Sequence, residues 1–485
     1  MRARVEWTTE QERGRIVDGA LHLLETLGMR FGPSRSLEAL GEAGARVDHG
    51  EGVARLPYDL VERALAGCPR EIVLGGATPD DDCVLTEGVP HFLNSGSPTT
   101  ILDFRTGERR AGTAQDVREA AIVLDEMPSA SIVWSLVSAM DLASERATLE
   151  TLAIQLGHTT KHVQHDVDGR WQVEPLRRMA EVTGGDLRMR PRVSVVCCTA
   201  SPLQAHAELL DASTDLAALG IPVVVMPMPI TGGTAPLTVA ATVTMVMAEF
   251  LGAATAMQLL APGARLILGA VPGILDMKET TFSFAAPEAA LAAAVCVEVG
   301  HSLGVPVLAP SHSTDAKSVG IQAAYEKSLK GLAVAATRPD LMTGLGMLYS
   351  ANLPSLPQIV IDDETARMML RLLEGAEITD ESIMVEMMER VGFSGDYLLE
   401  KDTRRRLRAG EVFTPQVSDR RSYEDWKAAG KDEFAVATEK VIDILAAARE
   451  REPLLSDDQA KELEACVAAA AAAPAAEWPP APSFD

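Results

Sequence analysis

The chain has 485 residues, with 44 Lys and Arg against 69 Asp and Glu, a formal charge of −25. That balance excludes a protein whose main task is to grip nucleic acid or an anionic lipid surface, since both need basic side chains. Hydrophobic residues make up 47% of the chain, enough for a large core, and the length suits about three ordinary domains or one large barrel with additions.

The N-terminal stretch holds no apolar core of leader length, and no run of about 18 uninterrupted apolar residues follows. The cysteines (Cys68, Cys83, Cys197, Cys198, Cys296 and Cys466) lack CxxC spacing, which fits free thiols in a reducing cytoplasm. A cytoplasmic protein without membrane attachment is expected. Cys197 and Cys198 are neighbours in an apolar run, and strand neighbours face opposite ways, so a shared metal is not expected there.

Residues 1–50 read as helical, with a start at Thr8 and Thr9 and an apolar stripe of Ile16, Ala20, Leu23 and Leu24. A β-rich stretch follows, with strands expected over 72–74, 83–86 and 101–103 and a turn at 94–98. Beyond Thr113 the pattern becomes regular. Buried strands are expected over 132–137, 162–165, 193–198, 223–228, 266–269, 305–308, 341–343 and 358–361. Helices are expected between them, over 144–157, 171–183, 203–219, 237–260, 287–303, 319–336 and 363–373. This alternation predicts an α/β fold, a (β/α)8 TIM barrel, in preference to an open sheet, because no strand leads into a glycine-rich phosphate loop. The expected organisation is a helical and β-rich cap (1–113), the barrel (114–375), C-terminal helices (376–465) and a flexible Ala/Pro tail (466–485).

A barrel places its active site at the C-terminal ends of the strands. That rule selects Ser138 and Asp141, His165 and Asp166, Thr199 and Ser201, and a long loop after the fourth strand that contains Thr234. It also selects the loop from Ala270 through Asp276, Phe282 and Phe284 to Glu288, and the segment with His312, Ser313, Asp315 and Lys317. Gln322, Tyr325 and Glu326 share one face of the next helix. The ordinary structural reading stays open for several of these. Asp315, Asp362 and Asp363 could cap helices, and Glu288 beside Pro287 suits a helix start. His158, His162 and His165 could form a metal triad but lack HExxH spacing. No GxSxG elbow is present. The run Arg404–Arg408 suits a solvated helix face or a docking patch for an acidic partner.

Taken together, several motifs resemble the trimethylamine methyltransferase family, in its branch without pyrrolysine. They are Asn94, Asp103-Phe104-Arg105-Thr106-Gly107-Glu108-Arg109, Thr113 and Asp116; Pro227-Met228-Pro229, Gly233-Thr234-Ala235-Pro236, Ala248-Glu249, and Gln258 with Pro262-Gly263; and Asp276-Met277, Pro287-Glu288, Asp315, Lys317, Gln322-Ala323, Glu326 and Asp362-Asp363-Glu364. The resemblance implies a (β/α)8 barrel that passes a methyl group from a quaternary amine, glycine betaine-like, to the cobalt of a corrinoid (cobalamin) carried by a partner protein, with no cofactor tightly bound to this chain.

A quaternary ammonium has no N–H, so aromatic faces and carboxylates must hold it. With aromatics at 4% of the chain, the candidates are Phe92, Trp134, Phe282, Phe284, Tyr325 and Tyr349. A substrate carboxylate would want His312 or Lys317, with His91 and Asn94 next. His91, Phe92 and Asn94 precede the expected barrel, and only the resemblance sets them over its mouth. The expected catalytic residues are Asp315, Lys317 and Glu288. His312, Ser313, Gln322, Tyr325, Glu326, Asp276, Phe282, Phe284, Thr234, Phe92, Asn94, His91 and His165 are expected around the substrate, with no metal. A homo-oligomer is expected. Two alternatives remain: a metal-assisted barrel hydrolase or lyase using the histidines near His165 with Asp362 and Asp363, and a non-catalytic betaine-binding protein.

Overall fold

Parallel strands and helices alternate from residue 91 onward in the computed structural model of the protein, which describes residues 4–86, 88–143 and 146–471. The strands are β1 (His91–Asn94), β2 (Ala130–Trp134), β3 (His162–Asp166) and β4 (Val193–Ala200), then β5 (Val223–Met226), β6 (Leu266–Gly269), β7 (Val307–Pro310) and β8 (Leu341–Leu345). Each pairs in parallel with the next, and β8 returns to β1, so the eight close into a barrel.

Two expectations are corrected. Residues 358–361 are helical, inside Leu356–Glu374, and the missing strand is His91–Asn94. The barrel therefore begins within the stretch expected to be its cap, and His91, Phe92 and Asn94 belong to its wall.

The surrounding helices are α1 (Ala114–Asp125), α2 (Ala147–His158), α3 (Val173–Val182) and α4 (Ala207–Ala218), then α5 (Val239–Leu260), α6 (Pro287–Ser302), α7 (Ile321–Ala335) and α8 (Leu356–Glu374). The expected start of α2 at Ser144 lies outside the described residues. Strand alternation divides the core in two. Leu93, Ile132, Val196, Val224, Ile267, Leu308 and Leu341 fill the lumen. Val163, Val193, Val195, Val223, Val225 and Leu268 face the helices. Cys197 and Cys198 fall on opposite faces accordingly.

The antiparallel hairpin Ile72–Leu74 and Cys83–Leu85 buries its apolar side chains in the lumen cluster. His162, at the start of β3, lies 3.1 Å from the Gly75 carbonyl and 2.9 Å from Ser194 Oγ. The hairpin therefore closes the N-terminal end of the barrel and leaves the other end as the mouth. The N-terminal helix Glu10–Thr26 carries the expected cap at Thr9 and packs on α5. α5 is apolar on every face because barrel and N-terminal helices enclose it. It is long and apolar enough to cross a membrane by composition, yet 72% of that window is buried within the molecule.

C-terminal helices wrap the outside. Glu433–Ala448 packs on α8 and α1, and Asp457–Ala471 packs on α3 and α2. Residues 466–471, expected in the flexible tail, continue this last helix, and Cys466 is only 1% exposed. Residues 472–485 lie outside the described residues. The arginine run sits on the exposed helix Lys401–Arg408, where Arg405 and Arg406 pair with Asp402.

Candidate active site

The mouth has two walls. One is built by the ends of β1, β2 and β3. Asn94 makes it possible: its side-chain oxygen accepts from Trp134 N (2.8 Å) and its amide donates to Trp134 O (2.8 Å), locking β1 to β2. Gly96 lets the Trp134 indole lie against the backbone, since a Cβ there would come within 2.6 Å of the ring. The indole N–H donates to Asp166 Oδ2 at 3.1 Å, and Ser97 Oγ donates to the same oxygen at 2.8 Å. Burial, aided by Asp168, pushes the Asp166 carboxyl up.

The second wall comes from the loops after β6, β7 and β8. Phe282, on the strand Thr281–Ser283 that pairs back with Gly273–Asp276, and Phe284, just past its end, meet edge to face at 4.4 Å and join the lumen cluster. Asp315 holds this piece in place, accepting from Ser283 Oγ, Phe284 N (3.0 Å) and Ser350 Oγ (2.7 Å). Residues Tyr349, Ser350 and Ala351 have φ of 48°, 49° and 65°, an uncommon left-handed run without glycine. It is held by Tyr349 N to Ala316 O (2.7 Å) and Ser350 N to Thr314 O (2.8 Å). Strain kept up in this way concentrates at functional sites. Glu326 on α7 accepts from Thr314 Oγ1, Asp315 N (2.9 Å) and Gln322 (2.9 Å). Lys330, buried on α7, donates to the Phe284 carbonyl at 2.6 Å, and burial pushes its ammonium down to about 7.

The fold therefore gathers Asp315, Glu326, Phe282 and Phe284, with Ser313 buried in the same loop. Lys317 is exposed, donates to Asp315 O (2.7 Å) and stands 5.0 Å from the Tyr349 ring centroid. Gln322 and Tyr325 lie exposed on α7.

Other expected residues are placed elsewhere. His91 is at the foot of β1, 3.2 Å from Ser131 Oγ and 3.3 Å from Val84 O. Phe92 faces outward into the helix layer, and His312 packs against it at 5.5 Å. Burial pushes His312 down to about 3, so it is a neutral wall residue unsuited to pairing with a carboxylate. His165 shares the outer face with Val163 and Val195, and burial holds it near 3 as well. Asp276 accepts from Lys278 N and Glu279 N in its own turn (both 2.9 Å). Thr234 accepts from Ile230 N (2.9 Å), and Glu288 is exposed in the first turn of α6.

The alternative metal site is not assembled. His158 bonds the Ile154 carbonyl in its own helix, His162 is at the foot of the barrel and His165 faces out. Asp362 and Asp363 cap nothing: Asp362 pairs with buried Lys327 at 2.6 Å and Asp363 with Arg367 at 2.8 Å. Among the described residues, no group of three or more His, Cys, Asp or Glu is placed to hold a metal ion.

Asp166 and Trp134 carry more of the mouth than the sequence reading allotted them. Strand parity was the available signal: His162, Gln164 and Asp166 share the lumen face, with apolar Val163 between them.

A closed parallel barrel with an aromatic-lined mouth defines a (β/α)8 enzyme acting on a small molecule at the C-terminal ends of its strands. In fold it is similar to the crystal structure of the hydroxylamine complex of MtmB (TM-score 0.50, 12% identity, 90% of this chain and 94% of that one). The chain belongs to the trimethylamine methyltransferase family, whose profile matches residues 2–473, and it is a methyltransferase. It is 31% identical over 441 residues to the trimethylamine methyltransferase MttB of Desulfitobacterium hafniense, covering 90% of this chain and 88% of that one. It is 29% identical over 451 residues to MttB of Methanosarcina thermophila (90% and 92%). It is also 25% identical over 425 residues to a glycine betaine methyltransferase of Desulfitobacterium hafniense (86% and 88%).

Proposed function

We propose that the protein moves a methyl group from a quaternary amine of the glycine betaine type to the cobalt of a corrinoid carried by a separate protein. The observation that carries this reading is the convergence of Trp134, Phe282 and Phe284 in one lumen. In a chain so poor in aromatics, such convergence suits a cation without N–H groups. Family membership supports methyl transfer, and the sequence contains no pyrrolysine, which favours a quaternary amine over trimethylamine.

The chemistry asks little acid–base help of the chain. The C–N bond breaks with its electron pair going to nitrogen, while the electron pair of cobalt(I) forms the new Co–C bond. The amine leaves neutral, so nothing need protonate it. The barrel contributes position and exclusion of water. Asp315 acts as a positioning residue through Phe284 and Ser350. Lys317, at the rim, takes the substrate carboxylate. Glu288 stays in solvent and is assigned no step.

The test is a methyl-transfer screen over glycine betaine, proline betaine, carnitine and trimethylamine with cob(I)alamin as acceptor, followed by absorbance. Methylcobalamin should form from at least one quaternary amine. Formation from trimethylamine alone, or from none with active cob(I)alamin present, would reject the reading.

A further inference from the structure

Below Asp166 on the same face of β3 lies Gln164. It pairs across with Trp134 on β2 and with Ser194 on β4. Gln164 is 1% exposed, and neither its amide nitrogen nor its amide oxygen has a hydrogen-bond partner. Buried amides are normally satisfied, so an unpaired one facing a lumen needs explanation. Asp166 has a related deficit. Its Oδ2 accepts from Ser97 and Trp134, both neutral donors, and among the described residues its one charged neighbour is Asp168, of like charge. Among the described residues no donor reaches Oδ1, and Asp166 is only partly buried. The nearby Cys198 thiol, pushed up to about 12, adds no charge.

We infer that Asp166, Gln164 and Trp134 form the subsite for the substrate's ammonium head, the carboxylate supplying its counter-charge, the amide oxygen a dipole and the indole an apolar face. This rests on the proposed function and deepens it by giving the substrate an orientation. The charged head lies against β2 and β3, and its far end points toward Lys317 across the mouth. A partly buried carboxylate without a cation carries a desolvation cost, and a ligand of fixed positive charge offsets it without needing a proton. Neutral isosteres gain nothing from it.

The pair choline and 3,3-dimethyl-1-butanol isolates this term, because they differ only in nitrogen against carbon. Titration calorimetry on the full-length protein should show choline bound at least tenfold more tightly than the alcohol. Asp166→Asn should bring the ratio close to one while leaving the alcohol's affinity unchanged. Gln164→Leu should weaken choline about three- to tenfold. It guards against misfolding of the first variant, because removing an unpaired amide from the lumen favours folding. A choline preference that survives in both variants overturns the subsite. Methyl transfer to cob(I)alamin is followed in parallel. Wild-type transfer from a quaternary amine together with a surviving preference removes the subsite alone. A wild-type protein that neither binds choline nor transfers from any quaternary amine removes the proposed function and the subsite with it.

Discussion

The two walls of the mouth treat charge in opposite ways. On the β7–β8 side, Asp315 accepts from three donors, Glu326 from three, and Lys330 donates to a carbonyl. Behind them Lys327 and Asp362 form a buried pair. On the β2–β3 side, Asp166 meets only neutral donors and Gln164 meets none. Apart from Lys317 at the rim, the charges of this wall are therefore a frame that holds loops. The sparse wall has unmet electrostatics, which is why the ammonium subsite is proposed there. Density of ionisable residues in a loop reports how much fastening that loop needs, whereas an unmatched group in the lumen reports what the site is shaped to receive.

The largest effect should come from breaking the frame. Lys327→Met leaves Asp362 buried without its cation and should lower unfolding free energy by about 3–5 kcal/mol in a denaturant titration. Adding Asp362→Leu should restore most of it. A small loss in the single variant would mean that the pair is not a fastening. Next, Asp315→Ala removes the acceptor shared by Ser283, Phe284 and Ser350 and should slow methyl transfer about 10- to 100-fold, with each lost bond to the charge worth roughly 1.5–3 kcal/mol locally. Asp315→Asn should recover part of the rate. A third effect is steric. A Cβ on Gly273 would lie 1.9 Å from the edge of the Phe282 ring, so Gly273→Ala must displace that ring. Affinity for a quaternary ammonium should drop by about tenfold, within the range of a lost cation–π contact. An unchanged affinity would detach Phe282 from the ligand and leave the β2–β3 wall to bind alone.

The barrel was legible in the sequence because six of its strands are short apolar runs between helical patterns, and a seventh, the mostly polar His162–Asp166, falls at the same spacing between two helices. The eighth was reached by two errors that compensate. The segment 358–361, Gln-Ile-Val-Ile, has strand propensity, yet it sits in a 19-residue helix whose Ile359 and Val360 pack into the outer core. Tertiary packing overrides local preference there. His91–Asn94 is four residues long and runs straight into a turn cluster, so its pattern looked like loop. The family motifs were read correctly as a set, but many of them are fastenings. Thr113 and Asp116 cap α1, Asp116 and Asp103 clasp Arg110, Gln258 ties the end of α5, and Glu249 accepts from Thr199, Ser201 and Leu203. At the site, the strand-end rule reached both His165 and Asp166. Strand parity from Val163 separates the one that faces helices from the one that faces the lumen, as the pleat in place confirms.

Lys330 offers the smallest and most specific check on the frame. Its ammonium is buried against the Phe284 carbonyl, and burial outweighs the attraction of Asp315, bringing the folded pKa to about 7 from an ordinary value near 10.4. Between those values the unfolded chain holds more protons than the folded one, so this group's contribution to stability rises with pH. Below about pH 7 the lysine is charged in both states and its cost is constant and complete. Lys330→Met removes the titration. The stability advantage of the methionine variant over wild type should therefore be flat below pH 7 and shrink by about 1 kcal/mol between pH 7 and pH 8. Matched urea titrations at pH 6, 7 and 8 measure it. A difference independent of pH would show that Lys330 keeps its proton through pairing with Asp315, making the β7–β8 wall an ion pair rather than a set of neutral fastenings around one carboxylate.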